Sequence, residues 1–123
     1  MIRRKVNFAI YLKGMTKGHY GRIPFGIAPL QILPRIKEAL KDSGMITIFV
    51  DCSMNAGYEA YKALALGAGA VSVGRGILEP LLKEGKDGVV NKINRMNEEL
   101  SELMIYTGIK DTKSFDQSVL YIG

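Results

Sequence analysis

The first candidates for chemistry are a histidine and an arginine, three positions apart in a glycine-rich loop. His19, the only histidine of the chain, and Arg22 follow an apolar run at residues 6–12. An imidazole titrates near neutrality, so it can remove a proton from a substrate hydroxyl or carbon. A guanidinium can hold a carboxylate through two parallel hydrogen bonds. The pair predicts proton removal from a bound acid; the alternative is a hydrogen-bonded loop histidine beside a solvated arginine.

A second candidate is an anion site at residues 74–76, directly after the apolar run 70–73. Gly74 and Gly76 let the backbone approach a ligand closely. The first N–H groups of a following helix favour an anion, and Arg75 adds a bidentate donor. The cluster predicts a phosphate site, and the alternative is a simple turn with a solvated arginine.

A third polar cluster, residues 51–57, follows the apolar run 46–50. Asp51 can accept a hydrogen bond from a ribityl or ribose hydroxyl. Ser53, Asn55 and nearby N–H groups can then meet the same phosphate. Alternatively, Asn55 only caps the next helix.

The single cysteine, Cys52, has no second histidine near it and is expected to be a small buried filler. One histidine and one cysteine far apart match no common spacing of metal ligands, so no metal site is predicted. One cysteine cannot form an internal disulfide, so we expect a reducing, cytoplasmic setting.

Length and charge limit the classes of protein. The 123 residues fit a single domain, 1–123, and the net charge is +5. The basic residues are scattered except at residues 3–5, whereas nucleic-acid-binding proteins usually concentrate charge on one stripe. We therefore expect no nucleic-acid partner, and a ligand that carries a phosphate and a carboxylate. No apolar stretch approaches the roughly 20 residues of a membrane span.

Each polar cluster lies between a predicted strand and a predicted helix, which indicates a parallel α/β protein. Strands are predicted at residues 6–12, 46–50 and 70–73. Helices are predicted at residues 29–41, 57–66, 77–82 and 87–107. Because chemistry in such folds sits at the carboxyl ends of the strands, we expect the three clusters to face a common pocket.

The first predicted helix has an apolar face formed by Leu30, Leu33, Ile36 and Leu40. Pro34 fits this helix only if the helix begins late. The strand at residues 46–50 is apolar at nearly every position, so it is expected to be covered on both faces. Gly67 and Gly108 are predicted to end the second and the last helix. Residues 109–123 form a tail without a firm prediction.

Three sequence blocks resemble the C-terminal part of the FMN-dependent 2-hydroxy acid dehydrogenases and oxidases, the family of glycolate oxidase and L-lactate oxidase. Residues 19–22 are similar to its H-G-(small)-R motif. Residues 51–57 are similar to its D-G-G-x-R-x-G motif. Residues 65–75 match its A-L-G-A-x-A-V-x-x-G-R block nearly throughout.

This resemblance implies that His19 takes the substrate proton and that Arg22 holds the carboxylate of a small 2-hydroxy acid. It also implies an FMN cofactor whose phosphate contacts Gly74 and Arg75. Further cofactor contacts are implied at Asp51, Cys52, Ser53 and Asn55.

The chain departs from the family pattern at several of these positions. Cys52 and Ser53 replace the glycine pair of the second motif, and Tyr20 replaces a glycine of the first. Asn55 replaces an arginine on the phosphate side, which removes one positive charge.

The implied fold is the last three βα units of a TIM (β/α)8 barrel. A full barrel takes about 250 residues. Three parallel strands alone leave two open edges and one uncovered apolar face. We therefore expect either a missing N-terminal half or a homo-oligomer that covers this face.

Three functions remain open at this point. The first is an FMN-binding 2-hydroxy acid oxidoreductase, incomplete as an isolated chain. The second is another FMN- or phosphate-binding barrel, such as an isopentenyl diphosphate isomerase or a glutamate synthase-like domain, in which His19 and Arg22 share no task. The third is a non-catalytic fragment that binds a ligand or itself.

Overall fold

The computed structural model describes residues 28–44, 47–51 and 54–121. Its helices are α1 (Pro29–Ala39), α2 (Gly57–Ala65) and α3 (Arg75–Thr107). Its strands are β1 (Phe49–Val50) and β2 (Ala70–Val71), and a short 3-10 helix covers Gln117–Val119. This alternation of helices and strands confirms the predicted α/β class. The first predicted strand, residues 6–12, lies outside the described residues.

The two strands pair in parallel, as predicted. Both are shorter than the apolar runs that predict them, but hydrogen bonding continues just beyond them. The N–H of Gly69 donates to the carbonyl of Ile48 at 2.9 Å, and the N–H of Ser72 donates to the carbonyl of Val50 at 2.8 Å. Because the strands are parallel, the segments that follow them leave from the same edge of the sheet.

Helix α1 buries the apolar face that its sequence predicts. Leu33 is only 2% exposed and belongs to the core, and Leu30, Ile36 and Leu40 pack against that core. The helix begins at Pro29, as predicted, and Pro34 lies inside it, although a late start was expected to be the only way to accommodate Pro34. Proline has no N–H to donate, so the packing of the apolar face must offset the lost hydrogen bond.

Helix α2 begins with a cap that differs from the prediction. Its N-cap residue is Ala56, so the expectation that Asn55 caps the helix is wrong. The carboxylate of Glu59 accepts hydrogen bonds from the N–H groups of Asn55 and Ala56, the second at 3.1 Å. Glu59 therefore does from inside the helix what a capping side chain does from outside. Gly67, with φ +112°, follows the end of the helix as predicted.

The start of α2 lies directly on the backbone of α3. A Cβ atom on Gly57 would stand 2.3 Å from the carbonyl oxygen of Met96 and 2.8 Å from the amide nitrogen of Leu100. The N–H of Gly57 also donates to a carboxylate oxygen of Glu99 at 2.7 Å. Only a residue without a side chain allows this approach.

Helix α3 consists of two segments that meet at Gly85, where φ is +63° and ψ is −141°. The sequence predicts two helical pieces here, but the first is longer than residues 77–82 and begins at Arg75. The segments lie against each other, because a Cβ on Gly88 would stand 2.3 Å from the carbonyl oxygen of Pro80. Gly108, with φ +74°, ends the second segment as predicted.

One face of β1 is open. Ile48 and Val50 are 4% and 2% exposed and join the core beneath the helices, whereas Phe49 between them is 59% exposed. The prediction that this strand is covered on both faces is therefore wrong for this chain. The open face agrees with the expectation that a few parallel strands alone leave apolar surface uncovered.

The tail is attached to the rest of the chain through Tyr61. The ring of Phe115 packs edge-on against the ring of Tyr61, with 5.3 Å between the ring centroids. The Tyr61 hydroxyl donates a hydrogen bond to Oγ1 of Thr107 at 2.7 Å. Tyr61 therefore contacts both the end of α3 and the tail. In the described parts of the chain, no helix is both long and apolar enough to cross a membrane.

Replacing Gly57 by alanine should lower the free energy of unfolding by about 2–3 kcal/mol, because the new methyl group overlaps backbone atoms of α3 that cannot rotate away. Gly74→Ala is the matched control, since nothing lies within 4 Å of a Cβ there, and it should cost less than about 1 kcal/mol. Urea denaturation measures both. Equal losses would show that the contact between the two helices is not tight.

Replacing Tyr61 by phenylalanine should lower the free energy of unfolding by about 1 kcal/mol, because it removes the hydrogen bond to Thr107 from a side chain that is 5% exposed. Tyr58→Phe is the control, because Tyr58 lies on the same helix and is 50% exposed. Thermal denaturation of the three proteins tests the difference. An unchanged midpoint for Tyr61→Phe would exclude a stabilising role for this bond.

Candidate functional site

A cavity of about 530 Å³ lies beside the edge from which both strands leave the sheet. One wall is formed by Asn55, which follows β1, and by Arg75 and Gly76, which begin α3. The opposite wall belongs to the second segment of α3 and includes Lys92 and Arg95. The structure thus brings together residues from two of the three predicted clusters.

The loop after β1 rests on the first turn of α3. A Cβ on Gly76 would stand 2.7 Å from Oδ1 of Asn55 and 2.8 Å from the carbonyl oxygen of Met54. A side chain at position 76 would push this loop away. Gly76 therefore allows the loop after β1 to pack against the first turn of α3. The sequence predicts a different role for it, the close approach of the backbone to a ligand.

Gly74 has the opposite surroundings. It is the N-cap residue of α3, no side chain caps this helix end, and a Cβ added to it would find nothing within 4 Å. The neighbouring Arg75 is exposed. An anion placed here would meet the positive end of the helix, backbone N–H groups and a guanidinium. Open backbone and a cation thus occur together at the predicted phosphate position.

The cavity carries an excess of positive charge. Four cationic side chains line it against two carboxylates, those of Glu79 and Glu84. Glu79 forms an ion pair with Lys83 across one helical turn. The hydrogen bond from Lys83 is the main reason why the pKa of Glu79 lies below its usual value, and the charge of Lys92 adds to the effect. The same pairing raises the pKa of Lys83.

Arg95 is turned toward another carboxylate. Its Nε atom lies 3.5 Å from an oxygen of Glu99, whose other oxygen accepts the hydrogen bond from Gly57. Glu99 thus contacts both Arg95, in the wall of the cavity, and the start of α2. This connection fixes Asn55, two residues before Gly57, relative to the second segment of α3.

The predicted site residues fall into three groups. Asn55, Gly74 and Arg75 lie at or beside the cavity. Asp51 follows β1 directly and is exposed, but it is not among the residues that line this cavity. The rest of the predicted site lies outside the described residues: His19, Arg22, Cys52 and Ser53.

The sequence interpretation missed the basic wall on α3. Gly88, Lys92 and Arg95 recur at steps of three and four residues, so they share one helical face. The pattern is visible in the sequence, but there it is typical of any solvated helix. Only the reversal at Gly85 places this face opposite Arg75.

Comparison with known proteins identifies relatives that belong to one enzyme family. The family profile described as FMN-dependent dehydrogenase matches residues 18–122. Human 2-hydroxyacid oxidase 1 is 36% identical over 97% of this chain and 37% of its own length. L-lactate oxidase of Lactobacillus jensenii is 38% identical over 78% of this chain and 23% of its own length.

A solved structure of a mandelate oxidase mutant with a monooxide FMN adduct is also similar. It has a TM-score of 0.70 and 29% sequence identity, over 91% of this chain and 37% of that one. The chain thus spans between 23% and 37% of the length of these three proteins. Since the family profile covers most of its residues, the chain belongs to the FMN-dependent dehydrogenase family, as the resemblance of its three loops predicts.

Proposed function

We propose that this chain is the part of an FMN-dependent 2-hydroxy acid dehydrogenase or oxidase that holds the cofactor phosphate. The observation that carries the proposal is the open backbone of Gly74 at the start of α3, beside Arg75 and a cavity of about 530 Å³. The similarity to human 2-hydroxyacid oxidase 1 and to an L-lactate oxidase supports the same reaction class.

The residues at this position fit a flavin mononucleotide phosphate. Gly74 offers unobstructed backbone, Arg75 offers two parallel hydrogen bonds, and the helix start favours the negative charge. Asn55 can donate from its amide on the opposite side of Gly76. Asp51, at the end of β1, is our candidate for the residue that accepts a hydrogen bond from a ribityl hydroxyl. Cys52 and Ser53 are further candidates, by resemblance to the family motif alone.

The chemical step is assigned to the loop before α1, on the strength of the resemblance. Arg22 would bind the carboxylate of the 2-hydroxy acid, and His19 would take a proton from the substrate as it becomes a 2-oxo acid. A bound FMN would supply the acceptor for the two electrons that leave the substrate. Phosphate binding at Arg75 and proton transfer at His19 would thus be separate tasks of residues far apart in the sequence.

We further propose that the chain forms three βα units of an eight-unit barrel. Two supports are the parallel pairing of β1 with β2 and the exposure of Phe49 on an otherwise buried strand. A third is the share of each relative's length that the chain spans, 23% to 37% in the two curated relatives. The open face of β1 then has to be covered by further units or by a second copy.

The single cysteine favours a cytoplasmic location.

Replacing Arg75 by glutamine should weaken FMN binding about 10- to 100-fold, because the phosphate loses a charged, bidentate partner. Arg35→Gln is the matched control, since Arg35 is an exposed arginine of α1 outside the cavity. Quenching of FMN fluorescence during titration gives both affinities. If the two variants bind equally, the phosphate does not lie at Arg75.

The isolated chain should self-associate through the open sheet face. Light scattering is expected to give a mass above that of a monomer, and Phe49→Ser should shift it toward the monomer, since Phe49 is the exposed aromatic residue of β1. Tyr106→Ser is the control, because Tyr106 is 83% exposed but lies on α3. A well-behaved monomer of the unaltered chain would contradict the prediction.

A further inference from the structure

We propose that Lys92 supplies a second positive charge to the anion site formed by Gly74 and Arg75, so that the phosphate is held between the two segments of α3. The inference rests on the proposed function, because it assigns a further residue to the same phosphate site. It concerns a residue outside the three sequence blocks that resemble the family.

The reversal at Gly85 makes this arrangement possible. In a straight helix, Arg75 and Lys92 would be separated by 17 positions, or about 25 Å along the axis. The left-handed backbone at Gly85 and the contact of Gly88 with Pro80 turn the second segment back along the first. As a result, Arg75 and Lys92 line the same cavity.

Two of the four cations that line this cavity, Lys83 and Arg95, already interact with a carboxylate, which leaves Arg75 and Lys92. Lys83 is paired with Glu79, and Arg95 is directed at Glu99. Lys92 forms no contact ion pair with a carboxylate in the described part of the chain. An ammonium group that is not neutralised by a neighbour retains its attraction for an incoming anion.

The charge of Lys92 also reaches the first segment of α3. It contributes to the lowered pKa of Glu79, which lies one turn after Arg75. Lys92 and Glu79 line the same cavity, so the two groups face a common space. The carboxylate of Glu79 does not cancel the site, because Lys83 is bound to it directly.

The sequence of the loop after β1 explains why a second cation is needed. A phosphate monoester carries a charge of about −1.5 to −2 at neutral pH. Arg75 supplies one positive charge, and Asn55, on the same wall, supplies an amide dipole but no charge. The family motif has an arginine where this chain has Asn55. The charge that is absent from the strand side of the cavity is thus replaced from the helix side.

The test compares FMN with riboflavin, which has the same ring and ribityl chain but no phosphate. Both are titrated into the full 123-residue chain and followed by flavin fluorescence. Lys92→Gln should bind FMN about tenfold more weakly than the unaltered chain and should bind riboflavin equally well. Lys110→Gln is the control, since Lys110 is an exposed lysine outside the cavity. Circular dichroism verifies that each variant is folded.

A second variant tests the exchange of charge between the two walls. Adding Asn55→Arg to Lys92→Gln should recover most of the lost FMN affinity, because it returns a cation to the strand side. Recovery supports the inference even if the single variant is partly destabilised.

Three results would overturn the inference. If Lys92→Gln binds FMN as well as Lys110→Gln does, while Arg75→Gln binds it poorly, the proposed function stands and Lys92 has no part in it. An equal loss for FMN and riboflavin would show a general disturbance of the fold. If the unaltered chain binds neither FMN nor inorganic phosphate, the proposed function fails and this inference fails with it.

Discussion

The position of α3 depends on a contact between two backbones at Gly57. No side chain separates the start of α2 from the residues around Met96, and the carboxylate of Glu99 binds the N–H group at this point. A helix held through its backbone cannot slide to accommodate a larger residue, because backbone atoms have no alternative rotamers. Asn55 lies two residues before this contact. The contact at Gly57 therefore determines how far Asn55 lies from the basic face of α3.

A second backbone contact, at Gly88, determines the shape of α3 itself. Without the close approach to Pro80, the two segments could separate about Gly85, and the cavity would lose one wall. The cavity is thus a consequence of two glycines that belong to helix packing. The glycine beside the proposed ligand, Gly74, has the contrary environment, since its backbone faces open space.

The sequence predicts the elements better than their arrangement. The apolar face of α1 and the glycines that end α2 and α3 were predictable, since each depends on residues close in sequence. The parallel pairing was predictable from the alternation of apolar runs and helices. The cap of α2 was predicted wrongly because Asn55 and Glu59 are both capping residues, and the structure uses Glu59. The exposure of Phe49 contradicts the prediction that this strand is covered on both faces. A continuous apolar run shows that a strand is hydrophobic, but it does not show what covers the strand.

The candidate site divides along the same line. Its strand side, with Asn55 and Arg75, was predictable, because parallel strands place their carboxyl ends together. The helix side was not, since a lysine on an exposed helical face usually remains in solvent. The roles of His19 and Arg22 stay predictions, as these residues lie outside the described part of the chain.

Placing a phosphate between the segments of α3 has a consequence for stability. A ligand that binds only the folded chain stabilises it by RT ln(1 + L/Kd), where L is the ligand concentration, so the stabilisation grows with the logarithm of that concentration once it exceeds Kd. Here the ligand would also oppose the mutual repulsion of the cations on the two walls. The kink at Gly85 and the binding of the phosphate are then linked, so each favours the other. In a site whose cation lies on the strand loop at position 55, both charges would belong to one wall and the phosphate would not hold the segments together. If Lys92 replaces the cation that position 55 lacks, the phosphate would bind to a helix pair and not to a loop.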